Sequence, residues 1–217
     1  MSILKASEQD YVSNVFRLLN EKVKISFFSQ QPESHAGRET RQILEELAGL
    51  SDKVQLQTYY FDEHKSEAAA LAVDKFPATV IEGKQDYGIR FFGIPAGYLV
   101  SSLIEDIVQV SKGISELSDE TKQKLNTVDS PLNLQVFVSA TSPYCPAVVN
   151  IAHRMAIETD QISAHMIDIT EFPHLAMRYH VAEVPFTVVN NKISIEGAPD
   201  EKDYVEKVLQ AYRDSKI

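Results

Sequence analysis

The sequence predicts an α/β protein made of two tandem copies of one unit, each a mixed central sheet flanked by helices. Three observations carry this. The halves superimpose at an offset of roughly 110 residues, with Phe27-Phe28-Ser29 falling on Phe137-Val138-Ser139 and Phe76-Pro77-Ala78-Thr79-Val80 on Val184-Pro185-Phe186-Thr187-Val188. Within each half, runs of helical period alternate with short β-branched and aromatic runs, so the first strands are parallel and joined by crossover helices. Each half then closes on two strands joined by a short turn, followed by a last helix.

In order, Ser7-Glu8-Gln9-Asp10 resembles a capping box, and Tyr11, Val15, Phe16, Leu18 and Leu19 follow at helical spacing. Val23 to Phe28 reads as a strand, His35 to Ala48 as a helix stopped at Gly49, Val54 to Tyr60 as a strand and Ser66 to Lys75 as a helix. Phe76-Pro77-Ala78-Thr79-Val80-Ile81 is a strand opened by a proline. The turn-rich 83–88 joins it to Ile89-Arg90-Phe91-Phe92, and a helix follows Gly97. The second half repeats this. A helix from Ser118 to about Val128 precedes the strand Leu134 to Val138, then a helix carrying Val148, Ile151, Ala152 and Met155. Ile162 to Ile169 is a strand and Glu171 to Tyr179 a helix. Val184 to Val189 and Lys192 to Ile195 form a hairpin about Asn190-Asn191, and a helix carries Tyr204, Val205, Val208 and Leu209. The long connection 111–118 divides the chain into domains 1–113 and 114–217.

The 217 residues are 44% hydrophobic and 24% charged, as in ordinary globular proteins. A net charge of −10 argues against nucleic acid, whose phosphates need a basic face. No apolar run approaches the ~20 residues of a membrane span. The stretch Met1-Ser2-Ile3-Leu4-Lys5 lacks the basic region and apolar core of a signal peptide, so the expectation is cytoplasmic, without a membrane partner. One cysteine excludes an intrachain disulfide and leaves no cysteine cluster for a metal, and the six histidines show no paired ligand spacing. No cofactor is implied.

That single cysteine lies in Ala140-Thr141-Ser142-Pro143-Tyr144-Cys145-Pro146, between a strand and a helix. Ser142 suits an N-cap, Pro143 then falls on the first helical position, and Cys145 sits in the first turn near the positive end of the helix dipole. Such a setting lowers a thiol pKa. The alternative is a small buried inert side chain, and for Ser142 a cap and nothing more. No general base lies nearby in sequence to activate the Ser142 hydroxyl.

Ser142-Pro143-Tyr144-Cys145 resembles the Cys-Pro-Tyr-Cys site of glutaredoxins with its first sulfur replaced by oxygen. With Val184-Pro185 and the repeated order of elements, the chain resembles the glutaredoxin-like protein disulfide oxidoreductases, two tandem thioredoxin-like folds. It is also similar to the N-terminal region of the alkyl hydroperoxide reductase flavoprotein. The resemblance implies a cis peptide before Pro185, and by analogy before Pro77, lying against the site turn. It places Ser142 at the attacking position and Cys145 at the resolving one, as candidate catalytic residues. Pro143, Tyr144, Val184 and Pro185 then become candidate substrate-binding residues. In the first half the corresponding turn is Ser34-His35-Ala36-Gly37, without cysteine. The implied partners are protein or peptide disulfides, and a flavin-dependent reductase or a peroxiredoxin. A serine cannot form a mixed disulfide, so dithiol exchange is expected to be impaired, leaving single-sulfur chemistry at Cys145. The rival expectation is a non-catalytic peptide-binding or chaperone-like module, since backbone pairing beside a cis-proline needs no sulfur.

Overall fold

Residues 3–216 are described by the computed structural model; Met1 and Ser2, part of the stretch read for a signal peptide, lie outside the described residues. The first half runs α1 (Ala6–Phe16), β1 (Val23–Ser29), α2 (His35–Ala48), β2 (Val54–Tyr60), α3 (Lys65–Ala70), β3 (Ala78–Glu82), β4 (Asp86–Phe92), a 3₁₀ turn (Gly97–Leu99) and α4 (Val100–Lys112). The second runs α5 (Asp119–Leu125), β5 (Leu132–Val138), α6 (Cys145–Glu158), β6 (Ile162–Asp168), α7 (Pro173–Arg178), β7 (Phe186–Val189), β8 (Ile193–Glu196) and α8 (Glu201–Ser215). The predicted order is present in both.

All eight strands form one sheet, in the order β2-β1-β3-β4-β6-β5-β7-β8. β1 pairs parallel with β2 and antiparallel with β3, and β5 pairs likewise with β6 and β7. The halves join through β4 and β6, parallel, with Ile89 opposite Ala164 and Phe92 opposite Ile167. Alternation along β1 sends Phe27 and Phe28 to opposite faces, each fully buried. Phe27 joins a core built with α1, α2, α4, α6 and α8, and Phe28 joins a smaller one with Ala68, Val73 and Phe172 under α3 and α7.

Local chemistry sets the helix starts. Gly37 N–H donates to Ser34 Oγ at 3.0 Å, Thr121 N–H to Ser118 Oγ at 3.2 Å, and Asp203 N–H to Asp200 Oδ1 at 2.9 Å. α1 starts earlier than its sequence signal, with Glu8 Oε2 accepting from Lys5 N–H at 2.7 Å. Tyr11 and Leu18, expected on its apolar face, are exposed. α3 stops at Ala70, short of Lys75, because Ala72 turns left-handed at φ 50°. Asn190 and Asn191 take φ 49° and 59°, as a tight hairpin between right-twisted strands requires.

Candidate thiol site at the start of α6

β5 delivers the chain to the sheet edge where β1, β4 and β6 also end. After Val138 the chain folds on itself, with Ser142 N–H donating to Ser139 C=O at 3.1 Å and Tyr98 N–H to Ala140 C=O at 3.1 Å. The helix begins at Cys145, with Pro146 in its first turn and Tyr144 at the cap position without a capping side chain. The expected Ser142 cap is therefore corrected. The Ser142 amide closes a turn of its own, and the helix starts later, where Pro146 supplies no N–H to satisfy.

Cys145 has no exposed surface, whereas Tyr144 is 66% exposed and Pro143 is also exposed. The expectation of a lowered thiol pKa is corrected as well. Burial pushes the Cys145 thiol above its ordinary value; hydrogen bonds from the Ser142 side chain and the Ser139 backbone oppose this, and the Asp168 carboxylate adds to it. Asp168 ends β6 in register with Val138 and is buried, its Oδ1 accepting from Thr170 N–H at 2.9 Å and Thr170 Oγ1 at 2.8 Å. Gly93 makes room for it: at φ +103°, a Cβ there would lie 2.5 Å from Asp168 Cβ. Sequence reasoning passed over Asp168; its one signal was an acidic residue ending an apolar strand.

The Val184–Pro185 and Phe76–Pro77 peptides are cis, as the resemblance implies, and so is Gln31–Pro32, which nothing in the sequence singled out. Phe137 pairs with Phe186, so the antiparallel register sets Pro185 beside Val138, where the site turn departs. By the same geometry Phe28 with Ala78 sets Pro77 beside Ser29. Val184 is half-buried against the larger core, and the cavity bordering Pro185 is lined by Val184, Phe186, Glu183 and Gly197. The structure thus brings Ser142, Cys145 and the Val184–Pro185 peptide to one strand end and leaves Pro143 and Tyr144 on the rim.

The first half repeats the scaffold without sulfur. α2 starts at His35, whose side chain is exposed and 3.6 Å from Glu39. Glu171, just beyond Asp168, is pushed up by burial and by the Asp168 and Glu39 carboxylates, and His35 opposes this. The helix starts of both halves therefore face one acidic stretch of the same sheet edge.

A thiol at a helix start beside a cis-proline, on a parallel pair continued by an antiparallel hairpin, defines a thiol–disulfide framework of the thioredoxin kind. Residues 132–210 match the thioredoxin domain family. The thioredoxin of Methanocaldococcus jannaschii is 31% identical over 80 residues, covering 36% of this chain and 94% of that protein. The chain belongs to the thioredoxin family. Over nearly its full length it is similar to the F component of alkyl hydroperoxide reductase from Xanthomonas campestris pv. phaseoli, 24% identical over 205 residues. That alignment covers 94% of this chain but 36% of the relative, so the chain spans about a third of that protein's length. The NTD_N/C domain of the Enterococcus faecalis alkyl hydroperoxide reductase AhpF superimposes with a TM-score of 0.88 at 26% identity, over 94% of this chain and 99% of that one. A protein disulfide oxidoreductase from Aeropyrum pernix shares the fold, with a TM-score of 0.87 at 22% identity over 95% of this chain and 94% of that one. The chain is thus a thioredoxin-like protein, similar over nearly its whole length to the N-terminal region of AhpF. Among the described residues, no helix is long and apolar enough to cross a membrane.

Proposed function

We propose that this chain is a glutaredoxin-like thiol–disulfide protein whose dithiol exchange is blocked by Ser142 at the attacking position. In this reading, residues 1–113 form a thioredoxin-like domain without redox cysteines and residues 114–217 carry the site. The observation that supports it is the pairing of an accessible hydroxyl with a buried sulfur. Ser142 is half-buried at the rim and Cys145 fully buried behind it, the arrangement of an outer attacking group and an inner resolving one. Val184 and Pro185 then hold an extended substrate, with Pro143 and Tyr144 flanking it. The proposed partners are protein or peptide disulfides, with a flavin-dependent reductase or a peroxiredoxin as the longer-range electron partner that the similarity to AhpF suggests.

The test is insulin reduction with dithiothreitol. The chain as it stands is expected near background, and Ser142→Cys is expected to raise the rate sharply. In that variant the sulfur at 142 attacks a substrate disulfide and releases one thiolate. Cys145 then attacks the mixed disulfide, releasing the second thiolate and closing a 142–145 disulfide that dithiothreitol reduces. Turnover by the unmodified chain would overturn the reading.

The full burial and raised pKa of Cys145 favour a second reading, a peptide-binding module that uses the Val184–Pro185 edge without sulfur. If Ser142→Cys stays at background while a cysteine-free extended peptide shifts the amide signals of Val184 and Phe186, that reading replaces the first.

A further inference from the structure

α4 belongs to the first half and α6 to the second, and the two helices lie against each other. Where a core contact would be apolar, this one is polar. Ser102, Asp106 and Gln109 form a buried stripe along α4 at the spacing of one helix face. Opposite them, His153 Nδ1 lies 2.5 Å from Asp106 Oδ2, and the two side chains are 0% and 1% exposed. Glu105 gathers the neighbours, accepting from Gln109 Nε2 at 2.9 Å, from Asn150 Nδ2 at 2.6 Å and from the Arg154 guanidinium. His153 Nε2, Ser102 Oγ and Gln109 Oε1 are buried without a hydrogen-bond partner. Phe91, from β4, closes the sheet side of the imidazole, its ring centroid 5.0 Å away.

A buried ionisable pair is a poor way to glue two helices, because apolar residues of the same volume stabilise at least as well. What the pair has that leucines lack is a proton. We propose that the α4–α6 seam is a proton-linked clamp between the halves: the Asp106–His153 pair holds a proton while the helices are docked, and losing it loosens the joint. α6 begins with Cys145, and the 3₁₀ turn leading into α4 holds the Ala140 carbonyl of the site turn, so the clamp ties both supports of the site together.

Several charged groups surround the pair. Glu105 on α4 and Arg154 on α6 flank it and bind each other. Glu8 of α1 borders the groove that Glu105 also lines, Glu201 of α8 acts on Arg154, and Lys122 of α5 sits 3.9 Å from Glu158 of α6. Through the sheet, His165 of β6 senses both His153 and the Arg90 guanidinium. Burial pushes the Asp106 carboxyl above its ordinary value, with the His153 charge and hydrogen bond opposing. A raised carboxyl contributes stability that is complete below the unfolded value of 3.8 and is lost as pH rises through the folded value. Folding thus retains a proton that Asp106 of the unfolded chain releases as pH rises past 3.8.

The test compares denaturant unfolding of the full chain with that of Asp106→Asn, which keeps the shape and an oxygen acceptor but cannot titrate. Between about pH 4 and pH 8 the ratio of the two unfolding constants is expected to change with pH, by up to about tenfold per unit, the limit for one linked proton. The wild type gains on the variant as pH falls. Hydrogen exchange on the unmodified chain, corrected for intrinsic rate, needs no variant to fold and is expected to show α4 and α6 losing protection with rising pH before β7 and β8. A pH-independent ratio, or uniform loss of protection across all elements, would overturn the clamp.

Discussion

Two physical effects meet at Cys145 and pull in opposite directions. A helix start favours the thiolate, because unpaired N–H groups and the dipole stabilise negative charge. Removal from water disfavours it, and with no exposed surface the second effect wins. Asp168 adds a like charge on the same side. Asp168→Asn keeps an oxygen for the Thr170 donors and removes that charge, so it is expected to lower the thiol midpoint. It should speed iodoacetamide alkylation near pH 8 by up to about tenfold, the equivalent of one pKa unit. An unchanged rate would show that desolvation alone sets the thiol. By linkage, the stability gained by keeping this thiol neutral is complete below the ordinary thiol value and is lost as pH climbs toward the higher folded one. The sequence placed Cys145 at its helix start correctly, because proline spacing and strand-to-helix succession are local signals. The sign of its pKa shift was out of reach, since it is set first by the burial that tertiary packing imposes and then by Asp168, which is remote in sequence and reaches the site through β5–β6 pairing.

Elements were legible wherever their ends are written in local chemistry. α2 runs from the residue after its Ser34 cap to the residue before Gly49, within the bounds its periodicity predicts, and β2 does the same. The early end of α3 falls where a backbone conformation lacks its usual residue. α3 and α7 both end through a left-handed non-glycine, Ala72 and His180, at matching places in the two halves. The repeat therefore preserves the turn without preserving a glycine that would announce it. Gly97 is the contrary case. It holds φ +57°, and a Cβ there would meet the Ala140 carbonyl oxygen at 2.4 Å, so two backbones touch where the 3₁₀ turn meets the site turn. Gly97→Ala is expected to cost about 1–3 kcal/mol, from the left-handed conformation plus the clash with a backbone atom that cannot rotate away. The denaturation midpoint reports the loss. Because Tyr98 N–H holds Ala140 C=O, the same variant should also make Cys145 react faster with a thiol reagent. A stability loss with no change in thiol reactivity would separate the 3₁₀ turn from the site.

At the scale of the whole molecule the joint between halves was the part least legible in the sequence. β4 and β6 are not consecutive, and no turn or connection length encodes their pairing; the one hint is that Ile89, Phe91 and Phe92 are too apolar for a free edge. The joint carries ionisable groups on both faces of the sheet. On one face lies the Asp106–His153 pair. On the other, Arg90, paired in register with His165, makes a two-pronged bond to Asp86 at 2.8 and 2.6 Å. Burial and the Arg90 and Lys75 charges lower the His165 pKa to about 3. A lowered histidine works opposite to a raised carboxyl. The unfolded chain takes up a proton below the ordinary value of 6.5 while the folded chain refuses it until about 3, so this stability is present above 6.5 and drains away as pH falls between the two. His165→Gln, which retains a polar group toward Asn133 and cannot titrate, should shift the acid-unfolding midpoint to lower pH while costing some stability at neutral pH through the lost Phe92 ring contact. Circular dichroism of the full chain against pH makes the measurement. A variant that unfolds at the same acid midpoint as the wild type would show that proton uptake at the β4–β6 joint does not limit the fold in acid, and that the limit lies with the surface carboxylates instead.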